Sequence, residues 1–210
     1  MPRPANEDAP VQYRSLTRQT APAVEPVTLA EAKAHLRVDA DTDDTYIGTL
    51  ITAAREWVEQ YLDRALIHQQ YVMRLDSFPY EFELPRPPMV ASGTATTVAV
   101  TYTLGDDSTA TLSASQYRVD RSATPGVVRQ LRAGTWPANL DDQNAVTVTW
   151  WAGYGTSGAS VPAAIRHAML MLVGHWYDGS RSGVLTGSIS KEIEFGVKSL
   201  LDSQRWGSYR

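Results

Sequence analysis

Residues 145–176, AVTVTWWAGYGTSGASVPAAIRHAMLMLVGHW, contain the change of pattern that decides the fold. The first seven residues alternate like a β-strand, and a glycine-rich turn separates them from a helix that begins at Pro162. The segment Ile165–Trp176 is apolar almost all round, which is typical of a helix buried in a core or between subunits. The stretch therefore predicts that a β unit ends here, and that residues 153–178 form a core-helix segment.

Two further helices are predicted earlier in the chain, within a helical part at residues 27–66. Thr28 and Glu31 form a capping box, which starts a short helix that ends near Leu36. Acidic residues at 41–44 mark a second helix start, and apolar residues then recur every three or four positions. These residues are Ile47, Leu50, Ile51, Ala54, Trp57, Val58, Tyr61 and Leu62. Their spacing predicts an amphipathic helix of about 20 residues.

The hydrophobic period changes from helical to alternating near Ile67. Six strands are predicted, at 70–75, 82–84, 97–104, 117–119, 127–131 and 145–151. The turn Gly105-Asp106-Asp107 after the third strand indicates a hairpin. We therefore expect an α+β fold, in which an antiparallel β unit at residues 67–152 is inserted into a helical bundle. The bundle consists of the two N-terminal helices and the helix that begins at Pro162, in the C-terminal third of the chain.

The helices on the two sides of the β unit are expected to share one core. The predicted contacts join Leu50, Ile51 and Trp57 of the long N-terminal helix to Ile165, Met169 and Leu172 of the C-terminal-third helix. These residues lie on the apolar faces that the helical period defines.

Both ends of the chain are predicted to lie outside this core. Five of the 12 prolines fall in the first 26 residues, so residues 1–26 are interpreted as a flexible N-terminal arm. Residues 179–210 are interpreted as a loop followed by an interaction tail. The tail carries candidate interface residues of the apolar and basic types that anchor protein–protein contacts: Phe195, Leu200, Leu201, Arg205, Trp206 and Tyr209. Packing of residues 195–201 on the chain's own fold is an equally open alternative.

Composition excludes several classes of function. The chain has 210 residues, of which 43% are hydrophobic, so it can bury a sizeable core. Its net charge of −4 argues against sequence-specific DNA binding, which needs a basic face. The absence of cysteine excludes disulfides and cysteine-based zinc sites. The longest apolar run, at 168–173, is far shorter than the ~20 residues of a membrane span, so no membrane partner is expected.

An acidic segment imitates a calcium-binding loop without completing it. Asp39-Ala40-Asp41-Thr42-Asp43 has the alternating acids of the first half of such a loop. The sixth position should be glycine and is Asp44, and the twelfth should be a bidentate glutamate and is Leu50. The acids are therefore interpreted as helix-start residues, and no metal is expected.

A glycine-rich turn likewise imitates a dinucleotide-binding motif. Residues 153–158 spell GxGxxG, but three residues separate them from the helix that should receive the pyrophosphate. His167 and His175 lie eight positions apart, whereas zinc ligands on one helix prefer a spacing of three or four. With no preferred nucleophile or base either, we expect no catalytic residues and no cofactor, and therefore no enzyme.

Short sequence markers follow one another along nearly the whole chain. They are VTLAEAKAHLR at 27–37, ITAAREWVE at 51–59, LPRPP at 84–88, YRVD at 117–120, AGYG at 152–155 and FGVKSLL at 195–201. In this order and spacing they resemble the gp6-like head–tail connector, or adaptor, proteins of tailed bacteriophages. The chain departs from that pattern near Asp178, where a looser glycine- and serine-rich stretch follows.

The resemblance implies a structural protein of the virion neck that is assembled in the host cytoplasm. Such proteins form a homo-oligomeric ring of about twelve copies beneath the portal protein, closed by a heterologous interface. The ring joins the head to the next neck or tail protein, and DNA passes through its channel without specific binding, which suits an acidic chain. The candidate interface residues would then contact the portal first and a neighbouring subunit second. The alternatives are another tail-completion or tail-tube protein and, further off, a small uncharacterised enzyme.

Overall fold

The computed structural model describes residues 13–90, 98–141, 143–181 and 191–205. These residues form two compact units. The β unit consists of the described residues up to Ala21 together with His68–Gly153, and the helical unit consists of Pro22–Ile67 together with the described residues from Tyr154 onward. The predicted α+β class is confirmed.

The β unit contains two antiparallel sheets. Its strands are β1 (Ser15–Thr20), β2 (Gln69–Leu75), β3 (Glu81–Leu84), β4 (Ala99–Thr103), β5 (Thr109–Thr111), β6 (Tyr117–Asp120), β7 (Gly126–Gln130) and β8 (Val146–Ala152). The five-stranded sheet has the order β1-β2-β8-β4-β5, and the three-stranded sheet has the order β3-β7-β6.

The central strands follow the alternation that the sequence shows. In β8 every second residue from Val146 to Ala152 is buried, and β2 buries its odd-numbered residues in the same way. Tyr71 lies directly opposite Trp150, and their rings stack with centroids 5.9 Å apart. Cross-strand aromatic pairs of this kind stabilise the sheet and fix its register.

The prediction of a flexible arm at residues 1–26 is wrong for the part of it that the structure describes. Residues 15–20 form β1, which pairs antiparallel with β2 and sets Leu16 opposite Met73. A polar segment can be ordered in this way because an edge strand gains backbone hydrogen bonds from the sheet and needs few apolar side chains. Residues 1–12 lie outside the described part. The short strand β5 was also missed; it completes the hairpin predicted at Gly105.

The helical unit contains α1 (Leu29–Leu36), α2 (Asp44–Leu62), α3 (Ala163–Arg181) and α4 (Lys191–Asp202). The capping box of α1 is present: the Glu31 amide donates to the Thr28 hydroxyl, and the Thr28 amide donates to the Glu31 carboxylate. A 3₁₀ turn over Asp41–Asp43 precedes α2. Helix α3 begins directly after Pro162, as expected, and continues three residues past the predicted end.

The core of the helical unit is built by α2, α3 and α4. Five of the six residues predicted to share a core are buried in it: Leu50, Ile51, Ile165, Met169 and Leu172. The sixth, Trp57, is half-buried and packs against its edge. No helix in the described part of the chain is both long and apolar enough to cross a membrane.

Candidate interaction surface

The C-terminal segment is a helix that packs on its own fold along one face. Val197 and Leu201 of α4 lie one helical turn apart and are fully buried in the core of the helical unit, and Leu200 packs beside them. A Cβ atom added at Gly196 would lie 3.1 Å from the methyl group of Met171, so the glycine permits a close approach to α3. The interpretation of residues 179–210 as a loop and a tail is therefore wrong for 191–202.

Leu201 cannot serve as the interface residue that the sequence suggested, because its side chain has no exposed area. The alternative of self-packing holds for this residue. The signal was present in the sequence: Val197, Leu200 and Leu201 follow the three- and four-residue steps of a helix.

The end of α4 is held against α2 by polar and aromatic contacts. The Tyr61 hydroxyl donates a hydrogen bond of 2.7 Å to the Asp202 carboxylate. The Arg205 guanidinium lies over the Tyr61 ring, 5.5 Å from its centroid, and Trp57 stacks on the same tyrosine at 5.3 Å. A cation over an aromatic face contributes about 0.5–1 kcal/mol at an exposed site. The chain is thus fixed to its own helical unit as far as Arg205.

One face of α4, the outer face, is exposed at the side chains that the structure describes. Phe195 is 77% exposed, more than any other large hydrophobic side chain that the structure describes. Ser199 and Asp202 follow it at helical spacing and are also exposed. This face therefore joins a large aromatic group to polar neighbours. Two of the predicted interface residues, Trp206 and Tyr209, lie outside the described residues.

A buried ion-pair network orders the chain around α2. Arg55 is only 4% exposed, and it donates to Glu25 at 2.8 Å and to Glu59 at 3.1 Å. The other oxygen of Glu59 accepts the Leu66 amide at 2.9 Å. A buried guanidinium needs such paired carboxylates to offset the loss of its hydration. The network ties the segment before α1 to the chain that leaves α2.

A second ion pair joins α3 to the start of α1. Arg166 donates to the Pro26 carbonyl and to the Glu31 carboxylate. The hydrogen bond from the Thr28 amide, followed by the contact with Arg166, holds the pKa of Glu31 below its usual value. A carboxylate in this position serves helix capping and interhelical pairing rather than proton transfer.

The residues that imitate a calcium loop are occupied by partners of the same chain. The Lys33 ammonium lies 2.7 Å from both Asp41 and Asp44, and Asp43 accepts a hydrogen bond from the Tyr177 hydroxyl. Within the described residues no group of three or more acidic or histidine side chains is placed to hold a metal ion.

The turn that imitates a dinucleotide motif packs against its own chain. A Cβ atom at Gly158 would lie 2.4 Å from the Pro26 carbonyl oxygen, so only glycine fits there. A 3₁₀ turn over Gly158–Ser160 follows, and α3 begins at Ala163. The helix N-terminus that would receive a pyrophosphate therefore does not adjoin the glycines.

Comparisons with known proteins give one family match over part of the chain and a shared fold over nearly all of it. The family of phage gp6-like head-tail connector proteins matches residues 26–87. A chain in the neck of an empty GTA particle, computed with C6 symmetry, is 20% identical and has a TM-score of 0.72; the match covers 91% of this chain and 95% of that one. A chain in the virion of a native gene transfer agent (GTA) particle is 20% identical with a TM-score of 0.70, covering 90% and 94%.

A third structure, the neck of a native GTA particle computed with C12 symmetry, contains a chain of 20% identity and TM-score 0.65, with 91% and 94% covered. No curated protein sequence gives a significant match. The structural likenesses establish a shared fold along nearly the full length of the chain. The match at residues 26–87 confirms, for that part of the chain, the predicted resemblance to the gp6-like head–tail connector proteins of phages.

Proposed function

We propose that this chain is a structural head–tail connector located in the neck of a phage-like virion. The observation that carries the proposal is the connector-family match over residues 26–87, which contain α1, α2 and the buried Arg55–Glu59 ion pair. The shared fold with chains of GTA necks and virions supports the same location. Assembly would take place in the host cytoplasm before the neck is completed.

We infer that the protein acts as a closed ring of about twelve copies, since a ring needs only one heterologous interface that closes on itself. The C6 and C12 symmetries belong to the GTA necks and support a ring of this order. The helical bundle, with its shared core of α2, α3 and α4, would supply the rigid part of each subunit. The net charge of −4 suits a channel that DNA passes through without sticking.

The portal protein is the proposed partner of the outer face of α4. Phe195 is the aromatic anchor that the helix leaves exposed, and large aromatic side chains dominate the energy of protein interfaces. The tail that follows Arg205 adds Trp206 and Tyr209 to the same proposal. Leu201 is removed from it because it is buried in the core. The opposite end of the ring would contact the next neck or tail protein.

The proposed role requires no catalysis, metal or cofactor. The acidic residues before α2 form ion pairs and hydrogen bonds within the chain, and the glycine-rich turn serves close packing. Both features have a structural explanation, which supports a structural rather than an enzymatic protein.

Electron microscopy of the purified protein, alone and mixed with its portal, tests the proposal. The expected result is rings, or crowns bound to the portal, with a central channel. Stacked tubes without portal contact would favour the alternative of a tail-tube protein. A monomer that never joins the portal would overturn the connector function.

A further inference from the structure

The three-stranded sheet of the β unit has two edges that differ in charge. Its strand β7 lies between β3 and β6, and no further strand flanks either edge among the described residues. Arg129 of β7 lies directly opposite Glu81 of β3 and Arg118 of β6, so the three side chains share one face. Glu83 follows Glu81 on that face. The β3 edge is therefore acidic, and Arg118 gives the β6 edge a positive charge.

One charged group at each edge has no partner within the described part of the chain. Glu81 pairs with Arg129 at 3.1 Å, and the Asp120 carboxylate accepts hydrogen bonds from Ser122. Glu83 and Arg118 are exposed and have neither a hydrogen bond nor an ion pair among the residues described. Two opposite, uncompensated charges thus lie at opposite edges of one sheet face.

The β6 edge also contains a recess that fits a carboxylate. A cavity of about 350 Å³ is lined by Arg118, Val119, Asp120, Ser122 and Arg129. Two guanidinium groups on neighbouring strands offer several N–H donors to an entering anion. The one carboxylate inside the recess, that of Asp120, already accepts hydrogen bonds at Oδ1 from the backbone and the side chain of Ser122.

We propose that the β3 edge of one copy of this chain pairs with the β6 edge of the next, with Glu83 entering the recess beside Arg118. The proposal rests on the ring proposed above and identifies the surfaces that close it. A ring needs two different, complementary patches on each subunit, which the opposite edges of one sheet provide. Among the described residues β3 and β6 are both edge strands, and edge strands offer backbone groups for pairing with a further strand.

The strand directions and charges select one register for this contact. Because β3 and β6 are both antiparallel to β7, a copy of β3 that extends the sheet beyond β6 runs parallel to it. Placing Glu83 beside Asp120 would set two carboxylates opposite each other, whereas a shift of two residues places Glu83 beside Arg118. Tyr80, which is 53% exposed and directly precedes β3, adds an aromatic group to the same edge.

A second copy fits this face better than DNA does. Glu81, Glu83 and Asp120 add three carboxylates to a face that has two arginines, and a phosphate backbone is repelled by such a balance. An incoming β3 edge instead brings a carboxylate that can pair with Arg118, because the Asp120 carboxylate of the recess already accepts hydrogen bonds from Ser122.

Charge reversal tests the pairing through mixed assembly. Glu83→Arg alone sets arginine against arginine, and Arg118→Glu alone sets glutamate against glutamate, so each variant should raise the protomer concentration for half-assembly by about tenfold or more. A one-to-one mixture should restore the wild-type value, because an alternating ring pairs opposite charges at every contact. Arg132→Glu, at an exposed position two residues after the end of β7, is the matched control and should assemble like the wild type. No rescue in the mixture would overturn the proposed pairing.

Cysteine cross-linking gives a second test that works even when association is weak. The chain has no cysteine, so the double variant Glu83→Cys/Arg118→Cys carries only the two thiols of interest. Within one copy the two positions are two strands apart and offset by two residues, about 11–12 Å, which exceeds the ~7 Å limit for a disulfide. Oxidation should give a ladder of multimers on a denaturing gel, whereas each single-cysteine variant stops at a dimer. If the wild type forms rings but the oxidised double variant gives no ladder, this contact is rejected and the connector function is unaffected. If there are neither rings nor a ladder, both this contact and the connector function are rejected.

Discussion

The two sides of α4 predict opposite consequences for two substitutions on one helix. Leu201→Ala removes a side chain with no exposed area from the core that α4 shares with α2 and α3. Leucine-to-alanine changes in cores cost about 2–5 kcal/mol of unfolding free energy, and less where the surroundings can collapse into the cavity. Because α4 packs on one side only, we expect the lower part of this range, about 2–3 kcal/mol. For a chain of this length that lowers the melting temperature by about 5–10 °C.

Phe195→Ala is the matched variant on the exposed side. With 77% of its area already in water, its removal should change the unfolding free energy by less than about 0.5 kcal/mol. Its effect should appear in portal binding, where loss of an aromatic anchor costs about 2 kcal/mol, or roughly thirtyfold in affinity. Val24→Ala, at a 43% exposed position of the same unit, is the control and should change neither quantity.

Thermal unfolding followed by circular dichroism and portal affinity measured by interferometry separate the two effects. An unchanged melting temperature for Leu201→Ala would show that α4 does not pack as described. Wild-type portal affinity for Phe195→Ala would move the docking surface away from α4 and make the N-terminal residues before β1 the next to test.

Four further results are expected. Leu50→Ala and Leu172→Ala should each cost about 2–5 kcal/mol in denaturant unfolding, and unchanged midpoints would remove them from the core. Arg55→Ala leaves the buried Glu59 carboxylate and the partly exposed Glu25 carboxylate without their cation and should cost roughly 3–5 kcal/mol, a prediction that a wild-type midpoint would contradict. The pKa of Glu31 is lowered in the folded state, so its charge stabilises the fold above about pH 4.5, and this contribution is lost as the pH falls through the lowered value. The wild type should therefore be more stable than Glu31→Gln at neutral pH, and this difference in unfolding free energy should shrink on acidification to about pH 3. A constant difference would refute the linkage. Deleting residues 204–210 should leave a folded protein that no longer joins the portal, whereas lost solubility would reveal a role in the core.

Local sequence patterns predicted the elements whose signals lie within one segment. The Thr28–Glu31 capping box predicted the start of α1, and the three- and four-residue apolar steps predicted α2 and its buried face. Strand alternation predicted β8 to within one residue. Such patterns are readable because side-chain direction follows the backbone period of a helix or a strand, whatever the rest of the chain does.

The tertiary structure decided everything that depends on a distant partner. The polar residues of β1 are ordered because β2 offers a sheet edge, and Leu201 is core rather than interface because α3 lies beneath it. In the same way, Glu83 and Arg118 are 35 positions apart in an unremarkable stretch of sequence, and only the strand order β3-β7-β6 sets them at opposite edges of one face. A residue type fixes which contacts a side chain can make, but long-range pairing fixes which of them it does make.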